Sequence, residues 1–351
     1  MRSILVLCLL MMCVGCSSIA YYAQSVQGQL QIIAKSRPIT ALLKDDHLPA
    51  NLASKLSQAM EIRDFASREL ALPDNNSYRY YADLDREYVV WNVFATPALS
   101  LQAKEWCFLF VGCLSYRGYF SNSRADAFAS RLEQQGFDTW VGGVTAYSTL
   151  GWFTDPVLNT MLSRDNDYLA RIIFHELAHQ KIYIKNDTAF NEAFAETVAL
   201  EGIRRWYALR SDTDSYRNFL SRLQHEEQFV SLVLQYRDKL DRVYESTMMP
   251  GEKLLQKNRL LQAMVNDYRL MRTGWGNDGR YDSWFATGLN NAKLMAVSTY
   301  RLYVPVLRKQ LEMLGSNLPA FYTFIERLGQ CSFEERKSYF ENGGHGTACL
   351  N

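Results

Sequence analysis

Two histidines and a glutamate stand together near the middle of the chain. The run is His175-Glu176-Leu177-Ala178-His179, and its two histidines are four residues apart. On a helix, that spacing places both imidazoles on one face, one turn apart. Two imidazoles so arranged can bind one zinc ion, and Glu176 can exchange a proton with a water molecule at the metal. The run therefore predicts metal-assisted hydrolysis with Glu176 as the catalytic base.

A third ligand is expected from the acidic motif that follows. Zinc in a catalytic site takes three protein ligands and keeps a fourth position open. Glu192 lies thirteen residues after His179, and residues 184–188 between them have the composition of a turn. A helix–turn–helix would bring Glu192 back to the metal. Glu196, one helical turn further on, is expected to accept the other ring N–H of a ligand histidine.

The alternative to a metal site is a pair of core or surface histidines on an amphipathic helix. The chain has only five histidines, and two of them fall in this run. Apolar residues flank the run, and the second acidic motif follows at folding distance. These observations favour a site for one zinc ion. A purely structural zinc is a further alternative, against which Glu176 argues because such a site has no use for it.

The two motifs together resemble those of the gluzincin metallopeptidases, the clan of thermolysin and aminopeptidase N. The resemblance implies that His175, His179 and Glu192 are zinc ligands and that Glu176 is the catalytic glutamate. It also implies that Glu196 is the acid behind a ligand histidine. The chain departs from those two families in its spacing, since only twelve residues separate His179 from Glu192. A tighter helix–turn–helix is therefore expected.

Other segments resemble a "putative aminopeptidase" family of proteobacterial predicted lipoproteins. They are Trp106-Cys107, Gly112-Cys113, Tyr116 to Phe120, Ala146 to Phe153 and Phe174 to Gln180. The resemblance covers nearly the whole chain. It implies a zinc peptidase acting on peptides or proteins, with aminopeptidase activity as the first expectation. The alternatives are an envelope endopeptidase and a non-catalytic, zinc-containing binding or assembly factor.

The elements that must position these residues are mainly helices. Apolar periodicity and β-branched or aromatic runs predict the secondary structure. The predicted helices cover residues 21–44 (interrupted at Pro38), 51–70, 124–135, 165–184, 189–209, 213–245, 250–272, 290–313 and 317–329; the predicted strands cover 88–94, 114–120 and 139–148. The expected class is α+β, predominantly helical and gluzincin-like. A small sheet before about residue 160 precedes the zinc-binding helices and a helical C-terminal part, in one catalytic unit over residues 16–351.

Three further features concern the turn and the substrate. Asn186 or Asp187 is expected to cap the second zinc helix. The strand at 139–148 is a candidate edge strand for binding substrate backbone, and its Gly142-Gly143 pair indicates either close approach by a peptide or a bulge. Tyr147 and Tyr300 are candidates for stabilising the oxyanion.

An aminopeptidase also needs an acid that binds the free amine of its substrate. Glu196, Glu201 and Asp155 are conceivable anchors for that amine. The sequence alone does not choose among them, so exo- and endopeptidase activity both stay open at this point.

The N-terminus has the layout of a bacterial lipoprotein signal peptide. One basic residue, an apolar stretch from Ile4 to Val14 and Gly15 precede Cys16. Residues 1–15 are expected to be removed and Cys16 to be acylated. The alternatives are a plain signal peptide and a cytosolic protein with an apolar start. With acylation, the protein would be anchored in the cell envelope, at the outer membrane and facing the periplasm.

Cysteine usage and net charge agree with export. Four cysteines remain after Cys16, and an oxidising compartment favours the disulfides Cys107–Cys113 and Cys331–Cys349 over four buried thiols. The formal net charge is +1, so composition gives no electrostatic case for a nucleic-acid partner.

Overall fold

Helices form most of the protein, whose structure is a computed structural model. The structure describes residues 2–108, 112–163, 166–345 and 349, and only the backbone of residues 2–18, 166, 299 and 300. Short strands lie in the first half of the chain, and the described part of the second half is helical. This is a predominantly helical fold with small sheets, consistent with the α+β class that the sequence predicts.

The N-terminal region is a long helix followed by two shorter ones. They are α1 (Arg2–Lys35), α2 (Ile39–Leu42) and α3 (Ala50–Leu70), with the short β1 (Arg37–Pro38) before α2. Pro38 ends the first helix as expected, because a proline nitrogen has no hydrogen to donate. Cys16 lies in the part of α1 whose side chains are not described. Within the described residues, no helix is both long and apolar enough to cross a membrane.

Three antiparallel strands form the main sheet, in the order β6-β3-β7. They are β3 (Val90–Pro97), β6 (Arg117–Tyr119) and β7 (Phe137–Val144), and α4 (Asn122–Glu133) packs on them. β7, which overlaps the expected substrate-binding strand, forms one edge of the three-stranded sheet.

Gly142 and Gly143 in β7 make room for aromatic rings. The β3–β7 pairing is continuous from Val90 opposite Val144 to Pro97 opposite Phe137, so the bulge considered at this point is absent. A Cβ on Gly143 would lie 2.4 Å from the Tyr88 ring, and one on Gly142 would lie 2.7 Å from Trp140. Glycine is needed here because the two rings pack against the strand.

The remaining strands are short. β4 (Trp106–Phe108) and β5 (Gly112–Leu114) pair in a hairpin that the Cys107–Cys113 disulfide joins. β2 (Tyr80–Ala82) pairs with β1 and with β8 (Val157–Leu158). The strand predicted over 114–120 is therefore divided between the end of β5 and β6.

The C-terminal half consists of helices joined by short turns. They are α5 (Asn166–Lys181), α6 (Thr188–Arg210), α7 (Thr213–Glu245), α8 (Pro250–Gly274), α9 (Asp282–Ala286), α10 (Asn291–Arg301), α11 (Val304–Met313), α12 (Leu318–Gln330) and α13 (Phe333–Glu341). The single helix predicted over 290–313 is wrong, since α10 ends at Arg301 and α11 starts at Val304. Pro305 accounts for the break, because its ring would clash with the carbonyl group four residues earlier.

α5 and α6 lie inside the largest apolar core. That core gathers side chains from Ile32 in α1 to Phe340 in α13. Phe174 of α5 and Phe194 of α6 are fully buried in it. A second core lies between α7, α8 and α10. The two helices that carry the predicted metal ligands are thus fixed from several sides.

Both expected disulfides are present. Cys107–Cys113 has a Cα–Cα distance of 3.8 Å and Cys331–Cys349 one of 5.8 Å. The second joins the end of α12 to the C-terminal segment.

Candidate metal centre

α5 presents His175 and His179 on one side while its apolar side is buried. Ile173, Phe174 and Leu177 are fully buried in the core, which fixes the rotation of the helix. The two imidazole rings lie edge to face, with centroids 4.7 Å apart. Their Nε2 atoms are 3.1 Å apart, so the rings converge on one point.

Asn191 closes the turn between α5 and α6. Its Nδ2 donates to the carbonyl oxygen of Ile184 at 2.7 Å, and its Oδ1 accepts from the N–H of Ile184 at 2.8 Å. The side chain therefore joins the end of one helix to the start of the next. Glu192, the following residue, is directed toward the histidines by this arrangement. Sequence analysis gave Asn191 no role of its own.

The two expected caps have different contacts. Asp187 caps α6 by accepting from the N–H of Phe190 at 3.2 Å. Asn186 has a left-handed backbone with φ of 65°, and its Oδ1 accepts from the N–H of Cys113 at 2.8 Å. Asn186 thus ties the β4–β5 hairpin to the turn beside the candidate metal ligands.

Glu192 completes a set of three convergent ligand atoms. One carboxylate oxygen lies 3.2 Å from Nε2 of His175, and the other lies 3.8 Å from Nε2 of His179. Ligand atoms of His175, His179 and Glu192 all lie within 4.8 Å of one another. Tetrahedral zinc with bonds of about 2.0–2.1 Å requires separations of about 3.3 Å between its ligand atoms. Two imidazoles and a carboxylate at these separations fit zinc in both donor type and geometry.

Electrostatics in the metal-free protein favour a positive charge between these groups. Burial lowers the pKa of His175, but hydrogen bonds with Glu192 and Glu196 outweigh it and raise the pKa to about 10. Burial raises the pKa of Glu192, and hydrogen bonds with His175 and His179 outweigh it to give about 2. The carboxylate and imidazolium hold each other charged, so a metal ion that binds the three ligand atoms must displace the proton of His175.

Glu196 connects His175 to a pair of arginines. Its Oε2 lies 3.6 Å from Nδ1 of His175. Its Oε1 accepts from Nε of Arg171 at 3.0 Å and from Nη1 of Arg301 at 2.9 Å. Both arginines also donate to Glu226 of α7. Burial raises the pKa of Glu196, but the arginines outweigh it and hold that pKa well below its usual range. Glu196 is therefore a charged acceptor beside His175, a candidate metal ligand.

A comparison with protein families agrees with this geometry. A family model described as "Putative aminopeptidase" matches residues 20–340. The chain belongs to this family. The match includes α5, α6 and the turn between them, and the family's description suggests a peptidase. Comparisons with curated proteins and with solved structures gave no match.

Glu176 of this aminopeptidase-family protein lies beside the three candidate ligands. Burial, Glu192 and Asp155 raise its pKa, while His175 and His179 lower it, and the net effect is a raised pKa. Tyr78 is buried nearby, and its pKa is raised by burial and then by the charges of Glu176 and Asp155. The net rise in the pKa of Glu176 suits a residue that must accept a proton and later return it.

Asp155 fastens the loop that follows Tyr147 to the end of α5. It accepts from Oγ of Ser148 at 3.0 Å, from Oγ1 of Thr149 at 2.8 Å and from Nε2 of Gln180 at 3.2 Å. Gln180 directly follows His179. The exposed tip of the loop, Trp152 and Phe153, therefore projects from a base that is fixed next to the candidate ligands.

Tyr116 and Tyr183 also lie near the site, and neither is among the site residues that the sequence predicts. The charges of Glu192 and Glu176 add to burial in raising the pKa of Tyr116, and Glu192 does so for Tyr183. Tyr116 also packs against Phe94 of β3, with ring centroids 5.7 Å apart. Its only sequence signal is its place in the Tyr116 to Phe120 segment that carries the family resemblance.

Of the two tyrosines predicted from sequence, the structure describes the side chain of Tyr147 only. Tyr147 packs edge to face on Phe120 with centroids 5.3 Å apart, and burial and Asp155 raise its pKa to about 12. The side chain of Tyr300 lies outside the described residues, so its role stays a prediction.

All three acids considered as amine anchors already have partners. Glu196 accepts from two arginines, as described above. Glu201 accepts from Arg204 and Arg205, both at 2.7 Å. Asp155 is 2% exposed and accepts only from neutral donors. Of the three, Asp155 alone has no cationic partner among its hydrogen-bond donors, but its burial keeps a substrate amine away in this conformation.

Proposed function

We propose that the protein is a zinc-dependent peptidase that hydrolyses peptide bonds with a metal-activated water molecule. The observation that carries the proposal is the convergence of His175, His179 and Glu192 within 4.8 Å, at separations that suit tetrahedral zinc. Glu176 stands next to the first of them in sequence and is half-buried. The same arrangement, with Glu196 behind His175, supports a gluzincin-like site.

In the proposed mechanism, His175, His179 and Glu192 would bind the metal and leave one position open. A zinc ion there would acidify a water molecule and polarise the substrate carbonyl group. Glu176 would accept a proton from the attacking water and later donate it to the leaving amine, as its raised pKa favours. Tyr116, which is close enough to Glu192 and Glu176 for their charges to raise its pKa, would donate a hydrogen bond to the oxyanion.

Replacement of Glu176 tests this mechanism. We expect Glu176→Gln to abolish cleavage of a peptide library while zinc content stays unchanged, because the amide cannot accept the proton. Zinc is measured by elemental analysis of the same preparation. Glu61→Gln is a matched control, since Glu61 is an exposed residue that pairs with Arg210. Full activity of Glu176→Gln would overturn the mechanism, and zinc without cleavage in the wild type would support a non-catalytic binding factor.

Aminopeptidase activity is the form that the family description favours. An endopeptidase is the second candidate, and the engagement of Glu196, Glu201 and Asp155 supports it, because none of these acids is free to bind a substrate amine. A library with free and with acetylated N-termini separates the two. Cleavage that requires the free amine identifies an aminopeptidase, and internal cleavage of acetylated peptides identifies an endopeptidase.

We also propose that the enzyme is anchored in the bacterial envelope through acylated Cys16, at the outer membrane and facing the periplasm. The sequence layout before Cys16 supports this. Metabolic labelling with a fatty acid should mark the wild type and leave Cys16→Ser unlabelled. Equal labelling of both would contradict acylation at this position.

A further inference from the structure

The part of α1 whose side chains the structure describes, residues 19–35, packs against the body of the protein through one side. Tyr21 contacts the ring of Tyr119 in β6, with centroids 5.7 Å apart. Oε1 of Gln24 accepts from the N–H of Phe120 at 3.1 Å. A Cβ on Gly28 would lie 2.1 Å from the Phe120 ring, so glycine is required where helix and ring meet.

The opposite side of α1 is apolar and exposed. It consists of Ile19, Tyr22, Val26, Leu30 and Ile33, which are 37% to 69% exposed. Their spacing of three, four, four and three residues places them in one stripe along the helix. At about 1.5 Å per residue the stripe is roughly 21 Å long. We call these five residues the outer stripe. Packing within the protein does not explain why these five positions are apolar.

The charged residues in α1 and directly after it are all basic. The first acidic residue of the chain is Asp45. Lys35 and Arg37 are exposed and lie at the end of α1 and just beyond it. An apolar helical stripe with basic and no acidic residues is typical of a helix that lies at the surface of an anionic bilayer.

The alternative occupant is the outer stripe of a second copy. Helices that pair side by side select each other through complementary charges beside the apolar seam. α1 has no acidic residue to complement Lys35, and a parallel pair would bring the two Lys35 side chains together. The chain before the stripe also favours a bilayer. An acylated Cys16 would lie three residues before Ile19, and in an unprocessed chain the apolar stretch Ile4 to Val14 ends five residues before Ile19.

We propose that the outer stripe of α1 lies flat on a bilayer containing anionic lipids. The N-terminal segment brings the start of α1 to the membrane, whether through Cys16 acylation or through its own apolar residues. The stripe then holds the rest of the helix, and the sheet packed on it, against the membrane surface. This inference is independent of the proposed peptidase activity.

The test uses the full chain in vesicles of phosphatidylethanolamine and phosphatidylglycerol with brominated acyl chains. A fluorescent amino acid replaces Ile19, Val26 or Ile33, one position at a time. The brominated lipids should quench the fluorescence at the three positions by amounts that agree to within about twofold. A helix that lies on the surface keeps its apolar side at one depth in the bilayer. A helix that stands away from the membrane would be quenched at residue 19 and not at residue 33, and that gradient would overturn the proposal.

Charge variants on the two sides of α1 provide the matched control. Val26→Glu with Leu30→Glu should abolish quenching at residue 33. Gln27→Glu with Gln31→Glu adds the same charge at exposed positions outside the stripe. This variant should preserve the quenching at residue 33. Disulfide cross-linking between chains carrying Val26→Cys, without lipid quenching, would instead show that a second copy covers the stripe. Peptidase activity of these variants in detergent separates this result from any failure of the proposed function.

Discussion

At the residue scale, Glu196 uses its two oxygens for different partners. Oε1 accepts from Arg171 and Arg301, and Oε2 faces Nδ1 of His175. We expect Glu196→Gln to weaken zinc binding about 10–100-fold, because the neutral amide holds the His175 ring less firmly and lowers its basicity. Competition with a chromophoric chelator measures the affinity.

Glu226→Gln is the matched control for that prediction. Glu226 contacts the same two arginines and has no contact with His175 among those that the structure describes. The Glu226→Gln variant should therefore keep the zinc affinity of the wild type. Equal losses in Glu196→Gln and Glu226→Gln would mean that the arginine pairs, rather than the contact with His175, govern the metal.

The roles of Tyr116 and Tyr147 can be distinguished by removing one hydroxyl group at a time. We expect Tyr116→Phe to lower kcat about 10²–10³-fold, the effect of losing one oxyanion donor, while zinc content stays unchanged. Tyr147→Phe should have little effect, since Tyr147 packs on Phe120. Steady-state kinetics on one cleaved peptide gives both values, and the reverse pattern would return the role to Tyr147.

Distance along the chain explains which site residues the sequence could predict. His175, Glu176 and His179 lie within one helix, so helical periodicity alone relates them, and Glu192 follows after one turn. Arg301 lies 105 residues from Glu196, and no local pattern connects the two. Residues that come together only through tertiary packing leave no such signal in a single sequence.

At the element scale, Asp187 combines a helix cap with an ion pair. It accepts from the N–H of Phe190 and, through Oδ2, from Nε of Arg336 at 2.8 Å. Both side chains of the pair are nearly fully buried. We expect Asp187→Ala to lower the free energy of unfolding by about 3–5 kcal/mol, because it leaves a buried guanidinium without its partner.

Asp187→Asn distinguishes the two roles. Asparagine caps a helix about as well as aspartate, so this variant should retain roughly 1 kcal/mol that alanine loses. Urea unfolding followed by circular dichroism measures both variants. If the two are equally destabilised, the cap contributes nothing and the ion pair accounts for the whole effect.

Helix boundaries show where sequence patterns succeed and fail. The long helices α5, α6 and α7 were predicted because their apolar residues repeat over many turns. α9 and α13 were missed because they are short and α13 is polar. Ser332 and Glu335 form a capping box at the start of α13, and this local motif could have revealed that helix.

At the scale of the whole molecule, partly buried ion pairs join the two helices that carry the candidate metal ligands to distant segments. Arg171 of α5 and Arg301 of α10 both bind Glu196 of α6 and Glu226 of α7. The sequence predicted the mainly helical class from periodicity, but charge alone could not predict these pairings. The chain contains 38 basic and 37 acidic residues, so the number of possible pairs is far too large.

Glu226 links this network to acid stability. Burial raises its pKa, but Arg171 and Arg301 outweigh that effect, so the folded-state pKa lies below the normal value. The unfolded chain therefore binds more protons in the acidic range. The stabilisation is fully present above the unfolded pKa of about 4.3 and is lost as pH falls through the lowered value.

We expect Glu226→Gln to be less stable than the wild type by about 1.5–3 kcal/mol at pH 6, the contribution of hydrogen bonds to charged groups. Because the variant has no carboxyl group to titrate, the difference should shrink as the pH is lowered toward 3. Urea unfolding of metal-free protein across this range measures it. Glu227→Gln is the control, since Glu227 pairs with Arg308 at the surface and should contribute less than about 1 kcal/mol throughout. A difference between wild type and Glu226→Gln that stays constant with pH would show that its carboxylate does not gain its stability from the two arginines.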